Sequence, residues 1–435
     1  MSSRDAPVDR VDVRRHNLSL ILRMLSTQGP RSRAALAAAS GLTRATVSSL
    51  AAELLERGLI REVGMEADQR IGRPATLLQV DGAHIVTMGV ELGVGYTAVL
   101  ATDLAGTVVY ERRRPLASMS VGPGDVVSVL ASEIRRALKA MQANDMTTMG
   151  ITVAVAGVVD RRNGSVIFAP NLGWRDVPLL DRLRSALDLA IPLSLENEAN
   201  LGALAEFRNG ASAGTPYLVY IIVENGVGAG IMADGRLLRG AFGSAGEFGH
   251  TTVRPGGELC ACGSRGCWET TIGLRALLGA TVPDLAVGLM GDRRLSPEAK
   301  VAFVIERANA GDATALRGLA ELGEWLGIGL ANVVDSLNPE VIVLAGILSS
   351  IAPWVLEGAA LTMRANTLRM PTECRIETST LGFSAAALGG TLAAAEELFN
   401  DPTMEIGAAV WVMAEPLGDG AQTLEKFQFG LYSAI

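Results

Sequence analysis

Apolar residues near the start of the chain repeat at the spacing of an α-helix. Leu18, Ile21, Leu22 and Leu25 fall on one face of such a helix. Gly29-Pro30 follows and ends it, because neither residue favours the continuation of an α-helix. The pattern predicts a first helix with a single buried face.

A tight turn then separates two shorter amphipathic segments. Ser32 is a candidate N-cap for the first segment, and Thr43 is a candidate N-cap for the second. The turn itself is Ser40-Gly41-Leu42, and beyond it Val47 and Leu50 lie on the same side of a helix. Two amphipathic helices joined by a short turn that contains glycine are the sequence signature of a helix-turn-helix.

The second of these helices leaves polar side chains on its outer face. They are Arg44, Thr46, Ser48 and Ser49. Short polar side chains and one arginine near a helix N-terminus suit the major groove of DNA. We therefore expect these four residues to contact DNA.

A β-hairpin is predicted next, with strands at residues 59–63 and 75–80. The polar loop between the strands contains Arg70 and Arg73, which we also expect to contact DNA. Such a hairpin is the wing of a winged helix-turn-helix domain, which we place at residues 1–80. A small helical bundle with a solvated arginine face is the alternative.

From residue 85 onward, strand-like runs alternate with helical ones. The runs are residues 85–92, 97–102, 108–112, 125–141 and 150–159, and later 217–223, 228–233, 320–337 and 341–345. This order predicts two α/β lobes with a ligand cleft between them. We place the first lobe at 81–195, completed by a C-terminal helix near 385–400, and the second at 196–384. Residues 401–435 form an extension to which the sequence assigns no role.

Charge is distributed unevenly along the chain. Residues 1–80 carry 12 Arg and 8 acidic residues, a net charge of +4, whereas residues 81–435 carry 26 basic and 38 acidic residues, a net charge of −12. A basic head on an acidic body indicates that nucleic-acid contact is confined to the first 80 residues. The hydrophobic share of 49% excludes intrinsic disorder for the chain as a whole.

Neither a signal peptide nor a membrane span is predicted. The N-terminal residues lack the apolar core of a signal peptide. The most apolar long run, residues 341–356, is shorter than the ~20 residues of a membrane helix, so we interpret it as a buried strand followed by a turn. We therefore expect a cytoplasmic protein that does not contact a membrane.

Three of the four cysteines lie within eight residues and follow a histidine. The set is His250, Cys260, Cys262 and Cys267. Three thiolates and one imidazole form a closed tetrahedral site, which favours structural zinc over catalytic zinc. Buried cysteines without a metal are the alternative.

A glycine-rich stretch at residues 224–230 lies between or within predicted strands rather than at the start of a helix. This position argues against a dinucleotide-binding fingerprint. A loop whose backbone approaches a phosphate and a tight hairpin remain equally good interpretations.

Carboxylates and amides form one further constellation. Asn197 and Glu198 are adjacent, Glu247 lies three residues before His250, and Glu269 lies two residues after the last clustered cysteine. Carboxylates and amides held beside a rigid metal-bound loop suit the hydroxyl groups of a sugar. Taken singly, each is equally typical of a surface residue or a helix cap.

These residues resemble the ROK family (repressor, open reading frame, kinase), in the subgroup of sugar-responsive regulators with an N-terminal winged helix. The resemblance covers roughly residues 10–400. The combined motif Glu-x-Gly-His and Cys-x-Cys-Gly-x-x-Gly-Cys-x-Glu, at 247–250 and 260–269, is highly specific. Matching segments also lie at residues 41–47, 72–75, 170–174, 226–230 and 338–340.

The resemblance implies two actin-like lobes of the ribonuclease-H type and a structural zinc ion on the histidine and three cysteines. It also implies a sugar pocket. The expected sugar-binding residues are Asn171, Asn197, Glu198, Glu247, His250 and Glu269. His250 would then serve both the metal and the sugar.

The sequence departs from the kinases of the family at three places. Their first phosphate loop, Asp-x-Gly-Gly-Thr, is Glu91-Leu92-Gly93-Val94-Gly95 here, and their Gly-Thr-Gly becomes Glu224-Asn225-Gly226. A carboxylate in a phosphate loop repels phosphate. Glu198 occupies the position of the kinase base, an aspartate, and its longer side chain changes a geometry on which the rate depends steeply.

We therefore expect a sugar-responsive, DNA-binding transcriptional regulator that has no catalytic residues. The most favoured form is a repressor that a sugar releases from operator DNA, acting as a homodimer or homotetramer. An ATP-dependent sugar kinase that also binds DNA is the alternative, and a scaffolding protein without a cofactor ranks third.

Overall fold

The computed structural model describes residues 9–65, 76–116, 122–292, 295–368 and 374–404. Its N-terminal part, here called the head, packs three helices against a three-stranded sheet of order β1-β3-β2. The elements of the head are α1 (Arg10–Gln28), β1 (Arg31–Ser32), α2 (Arg33–Ser40), α3 (Arg44–Glu56), β2 (Ile60–Met65) and β3 (Thr76–Val80). The predicted winged helix-turn-helix is confirmed.

Local hydrogen bonds explain where the helices of the head begin. The Ser32 hydroxyl accepts a hydrogen bond from the Ala35 N–H at the start of α2, and the Thr43 hydroxyl accepts one from the Thr46 N–H at the start of α3. Gly41 ends α2 with a φ of 73°, a left-handed conformation that glycine adopts without a steric penalty. Both predicted caps are confirmed.

The first lobe contains a five-stranded sheet of order β11-β7-β4-β5-β6, with β4, β7 and β11 parallel and β5 and β6 antiparallel. A small sheet of order β10-β9-β8 lies beside it. The elements are β4 (Ile85–Gly93), β5 (Tyr96–Asp103), β6 (Val108–Pro115), α4 (Pro123–Gln142), β7 (Thr147–Val155), β8 (Val158–Asp160), β9 (Ser165–Ala169), β10 (Trp174–Val177), α5 (Leu179–Leu187) and β11 (Leu193–Asn197).

The second lobe repeats this plan, with sheet order β14-β13-β12-β15-β16 and the same mixture of parallel and antiparallel neighbours. Its elements are α6 (Glu198–Asn209), β12 (Leu218–Val223), β13 (Val227–Ala233), β14 (Arg236–Leu237), α7 (Glu269–Ile272), α8 (Leu274–Thr281), α9 (Pro283–Gly291), α10 (Pro297–Asn309), α11 (Ala313–Leu337), β15 (Val341–Gly346), α12 (Ile347–Asn366) and β16 (Arg375–Thr378). Two lobes built on one sheet plan confirm the predicted actin-like fold.

The last helix, α13 (Ala385–Asn400), packs against β4 and β7 of the first lobe. It also packs along α6 and against α1 of the head. Leu398 and Phe399, at its C-terminal end, belong to the same hydrophobic cluster as Leu18 and Leu22 of the head. One helix therefore joins both lobes and the head.

The sequence analysis was wrong about residues 341–356, where it expected a strand followed by a turn. The strand β15 is present, but α12 begins directly after it and contains Pro353. Pro353 lies in the second turn of the helix, where it removes a single backbone hydrogen bond from a long helix that is otherwise well packed. Among the described residues, no helix is long and apolar enough to cross a membrane.

The docking of α13 onto the head predicts that Leu398→Ala destabilises the protein. Leu398 is 2% exposed in the cluster that it shares with α1, and a buried Leu→Ala change costs about 2–5 kcal/mol. We expect the melting temperature to fall by about 2 °C or more. Leu361→Ala is the control, because Leu361 is 60% exposed, and equal melting temperatures for the two variants would contradict the observed docking.

Candidate functional site

The outer face of α3 presents three of its four predicted DNA-binding residues to solvent. Arg44, Ser48 and Ser49 are exposed. Thr46 is only partly exposed, because its hydroxyl lies 2.8 Å from that of Thr43 and forms part of the cap. Arg70 and Arg73 lie outside the described residues.

The sequence analysis missed a further arginine on this face. Arg33 opens α2 and borders, with Arg44 and Ser48, a depression of about 270 Å³. Its guanidinium donates a hydrogen bond to Glu62 of β2 at 2.8 Å. The sequence could have identified Arg33, because it is the first residue of the first helix in the predicted helix-turn-helix.

A pocket of about 400 Å³ lies between the two lobes and is lined by both polar and apolar residues. The structure brings together in its lining all six of the predicted sugar-binding residues, namely Asn171, Asn197, Glu198, Glu247, His250 and Glu269. Glu91, Tyr96 and Glu224 line it as well. Among the described residues of the lining there are five glutamates but neither lysine nor arginine.

Asn197 and Glu198 stand where β11 passes into α6. The Asn197 Oδ1 accepts hydrogen bonds from the N–H groups of Ala199 and Asn200, and its Nδ2 donates to the Gly157 carbonyl at 2.9 Å. One N–H of the Asn197 amide is left to donate elsewhere. The Glu198 Oε2 is buried without a hydrogen-bond partner among the described residues, and burial raises the pKa of Glu198 to about 8.

The two ring nitrogens of His250 face different groups. Its Nδ1 lies 3.6 Å from the Cys260 Sγ, and its Nε2 lies 4.0 Å from the Glu247 Oε2. Burial raises the pKa of Glu247, and the nearby His250 opposes this effect. The imidazole thus connects the cysteine cluster to the pocket.

The His250, Cys260, Cys262 and Cys267 side chains form a cluster that can bind a metal, since their ligand atoms all lie within 4.8 Å of one another. Four ligands about 2.0–2.3 Å from a central ion lie roughly 3.3–3.8 Å apart in a tetrahedron. The observed Cys262 Sγ to Cys267 Sγ separation of 3.7 Å fits this value. Gly266, at a φ of 70°, passes so close to the Arg254 carbonyl that any side chain there would overlap it.

Glu269 connects the cysteine cluster to the glycine-rich stretch. Its Oε2 accepts a hydrogen bond from the Val227 N–H at 3.0 Å, and the Cys260 thiol donates to its Oε1 at 3.4 Å. The stretch contains a tight hairpin turn between β12 and β13, which one of the two interpretations of residues 224–230 predicted. A side chain at Gly226 would displace the ends of the Glu269 and Asn171 side chains, so the glycine lets both reach close to the turn.

Two buried carboxylates from different lobes meet at the phenol of Tyr96. The Tyr96 hydroxyl lies 2.5 Å from the Glu91 Oε1 in the first lobe and 3.2 Å from the Glu224 Oε1 in the second. One phenol proton can serve only one of these contacts, so the other requires a protonated carboxyl that donates to the phenol oxygen. Burial raises the pKa of Glu91 to about 7 and that of Glu224 to about 8.

Further contacts between the lobes surround this group. The Arg113 guanidinium stacks on the Tyr96 ring at 3.9 Å from its centre and pairs with Glu298 of the second lobe. The Asn225 Nδ2 donates to the Val94 carbonyl at 3.3 Å. On this side of the cleft, the lobes are therefore held together by the protein's own side chains.

A winged head with an exposed recognition helix, followed by two actin-like lobes around a pocket, defines a ligand-controlled DNA-binding protein. The chain belongs to the ROK family, whose model matches residues 87–397. The MarR family model matches residues 19–71, within the head. The resemblance identified from the sequence is confirmed.

The relatives include both regulators and kinases. The xylose repressor of Bacillus spizizenii is 30% identical over 384 residues, which are 88% of this chain and 95% of the repressor. A crystal structure of a ROK family transcriptional regulator, a homolog of the Escherichia coli MLC protein, aligns with a TM-score of 0.74 at 25% identity and covers 89% of this chain and 97% of that one. A ROK family glucokinase from Streptomyces griseus, solved with glucose and AMPPNP, aligns with a TM-score of 0.60 at 28% identity over 72% of this chain and 99% of its own.

The Glu91–Tyr96–Glu224 group predicts a fall in stability as the pH rises. Because burial raises the pKa of both glutamates above the unfolded value of about 4.3, the folded state holds extra protons between about pH 4.5 and 8. The stabilising contribution of these protons is complete below pH 4.5 and is lost as the pH rises to about 8. Glu224→Gln mimics the protonated form and should raise the melting temperature at pH 8.5 by about 3 °C or more.

Glu340→Gln is the matched control, because Glu340 is exposed and lies outside the pocket. Thermal unfolding of both variants and of the parent protein at pH 5.5 and pH 8.5 checks this prediction. A Glu224→Gln variant that is destabilised equally at both pH values would show that no proton is held between the two carboxylates.

Proposed function

We propose that this chain is a transcriptional repressor whose affinity for operator DNA is controlled by a sugar bound between the lobes. The observation that carries the proposal is the pocket, where all six predicted polar residues converge on one cavity of about 400 Å³. A cavity of this size accommodates a monosaccharide. The winged head supplies the DNA-binding function, and the match to xylose repressors over most of the chain supports the combination.

The pocket favours an uncharged sugar. Its carboxylates can accept hydrogen bonds from several hydroxyl groups, and no described lysine or arginine lines it to neutralise a phosphate. D-xylose is the first candidate, because xylose repressors are among the relatives. The pocket residues proposed to contact the sugar are Asn171, Asn197, Glu198, Glu247, His250 and Glu269.

The head is proposed to bind operator DNA with α3 in the major groove. Arg44, Ser48 and Ser49 are exposed near the N-terminal half of α3, which is the part of a recognition helix that reaches base edges. Arg33 is placed at the edge of this face, where it can contact a phosphate.

Catalysis is not part of the proposed function. Phosphoryl transfer depends on groups that position and neutralise phosphate, whereas Glu91 and Glu224 bring carboxylates into the cleft. A sugar kinase that also binds DNA is the second candidate, favoured by the likeness to glucokinases and by Glu198, whose buried carboxylate has a pKa raised to about 8. The two candidates differ in whether ATP is consumed.

Zinc is the metal that we propose for the histidine and cysteine cluster, because three thiolates and one imidazole, all within 4.8 Å of one another, match its preferred ligands. His250, Cys260, Cys262 and Cys267 would hold the ion. A bound zinc ion supplies a rigid crosslink there and, with all four positions filled by protein, no catalytic water. It would fix His250 and the chain that leads to Glu269 at the edge of the pocket.

The function is tested by calorimetry with D-xylose, D-glucose and N-acetylglucosamine, and by titration of a DNA site selected from a random pool. At least one sugar should bind and weaken DNA binding, and a coupled assay with ATP should show no turnover in the range of ~1–100 per second typical of kinases. Turnover in that range would favour the kinase. Failure of all three sugars to bind, or binding without an effect on DNA affinity, would contradict the proposed control.

Two substitutions should separate the two activities. Glu247→Ala should weaken sugar binding by about one to two decades, since hydrogen bonds to charged groups contribute ~1.5–3 kcal/mol, and it should leave DNA affinity intact. Arg44→Ala should weaken specific DNA binding and leave sugar affinity unchanged. The controls are Glu340→Ala and Arg364→Ala, and a loss of both activities in either test variant would contradict the assignment.

Removal of a proposed zinc ligand should loosen the pocket. Cys262→Ser should lower the zinc content and weaken sugar binding by about 10- to 100-fold, while the head, whose hydrophobic cluster contains none of the proposed zinc ligands, keeps its DNA affinity. Metal analysis, calorimetry and DNA titration of the purified protein measure the three effects. Cys374→Ser is the control, because Cys374 lies outside the cluster. A zinc-free Cys262→Ser variant with normal sugar affinity would contradict the proposed role.

A further inference from the structure

Helix α6 begins at the sugar pocket and ends at a contact with α13. Its first residue, Glu198, and the residue that caps it, Asn197, both line the pocket. Its last turn contains Arg208, whose Nη2 lies 3.6 Å from the Glu396 Oε2 on α13. Twelve helical residues span roughly 18 Å, so α6 covers this distance from the pocket to the contact between Arg208 and α13.

The two helices are in contact near the pocket as well. A side chain at Gly389 of α13 would overlap the carbonyl oxygen of Leu201, in the first turn of α6. Ala386 and Leu201 are buried together with Ala154 of β7. The contacts Leu201 to Gly389 and Arg208 to Glu396 are separated by seven residues in both helices, so α6 and α13 run in the same general direction. With so little space between them, a displacement of α6 must be followed by α13.

The far end of α13 is embedded in the head. Leu398 is 2% exposed and Phe399 is 8% exposed in the head's hydrophobic cluster. Arg23 of α1 donates to the Glu396 Oε1 at 2.6 Å and to the Asn400 Oδ1 at 2.7 Å. Thr403 lies beyond the end of α13, and its carbonyl accepts a hydrogen bond at 3.3 Å from the guanidinium of Arg57, the residue that follows α3.

Glu396 therefore holds two arginines at once, one from α6 and one from the head. We propose that α6 and α13 transmit sugar binding to the DNA-binding head, and that Glu396 is the residue at which the two are coupled. This inference rests on the proposed function, because it requires a sugar in the pocket and DNA on the head. It assigns Arg208, Glu396 and Arg23 a role in regulation, although none of the three lines the pocket or belongs to α3.

The contact geometry also sets the size of the expected effect. Arg23, Arg208 and Glu396 are all 31–40% exposed, and ion pairs with this much exposure are individually weak. Their loss should change the coupling by about two- to fivefold without unfolding the protein. The buried contacts at Leu398 and Phe399 keep the head attached, so DNA affinity without sugar should stay within twofold of the parent value.

The test uses the full-length, metal-loaded protein with Glu396→Gln, Arg208→Ala and Arg23→Ala. For each variant, DNA affinity is titrated with and without saturating D-xylose, or another sugar of the panel if D-xylose does not bind, and sugar affinity is measured by calorimetry. We expect the sugar affinity and the DNA affinity without sugar to be unchanged. The factor by which the sugar weakens DNA binding should be two- to fivefold smaller than in the parent protein. In a double variant of Arg208→Ala and Arg23→Ala, the two losses should not add, because both act through Glu396.

Glu397→Gln is the matched control, since Glu397 is the exposed neighbour of Glu396 on the same helix and has no ion pair among the described residues. A parent-like factor in Glu396→Gln would overturn the inference while the proposed function stands. An equal decrease in the Glu397→Gln control would also overturn it, because the effect would then be one of general charge. If no sugar binds the parent protein, the proposed function itself fails, and the inference fails with it.

Discussion

The architecture depends on one packing constraint, the close fit of α13 between the first-lobe sheet, α6 and the head. A side chain at Gly89 of β4 would overlap the Ala387 carbonyl of α13, and one at Gly389 would overlap the Leu201 carbonyl of α6. At the other end of the helix, Leu398 and Phe399 complete the hydrophobic cluster of the head. Because protein interiors are close-packed and relax only partly, these contacts fix the position of the head relative to the lobes. The head is thus attached to the part of the body that surrounds the pocket.

The second constraint is electrostatic. Burial raises the pKa of Glu91, Glu198 and Glu224 to about 7–8, so the cleft is occupied by carboxyl groups that retain protons near neutral pH. Such groups can donate as well as accept hydrogen bonds, which suits neutral hydroxyl groups, while the described lining has no lysine or arginine to neutralise a phosphate. The family fold contains both kinases and regulators, and in this chain the composition of the cleft supports a binding function. Side chains that meet across the lobes hold the cleft together without a nucleotide.

The sequence predicted the features that depend on local patterns. The caps at Ser32 and Thr43 and the spacing of the histidine and cysteine cluster can all be recognised within a few residues. The Tyr96 contact with Glu224 was not predicted, because it joins residues 128 positions apart and depends on how the two lobes are placed. The docking of α13 onto the head was not predicted for the same reason, since Arg23 and Glu396 are separated by 373 positions. Residues 341–356 were misinterpreted because α12 begins directly after β15 and tolerates Pro353, so a helix stands where a turn was expected.

The central claim is that sugar in the pocket and DNA on the head compete through the body of one chain. Linkage requires this effect to be reciprocal, so bound DNA must weaken sugar binding by the same factor by which the sugar weakens DNA binding. The most direct measurement is calorimetric titration of the sugar into free protein and into protein saturated with its selected DNA site. The account predicts a weaker sugar affinity on the DNA complex, by about fivefold or more and equal to the shift in DNA affinity. Equal sugar affinities for free and DNA-bound protein would contradict it.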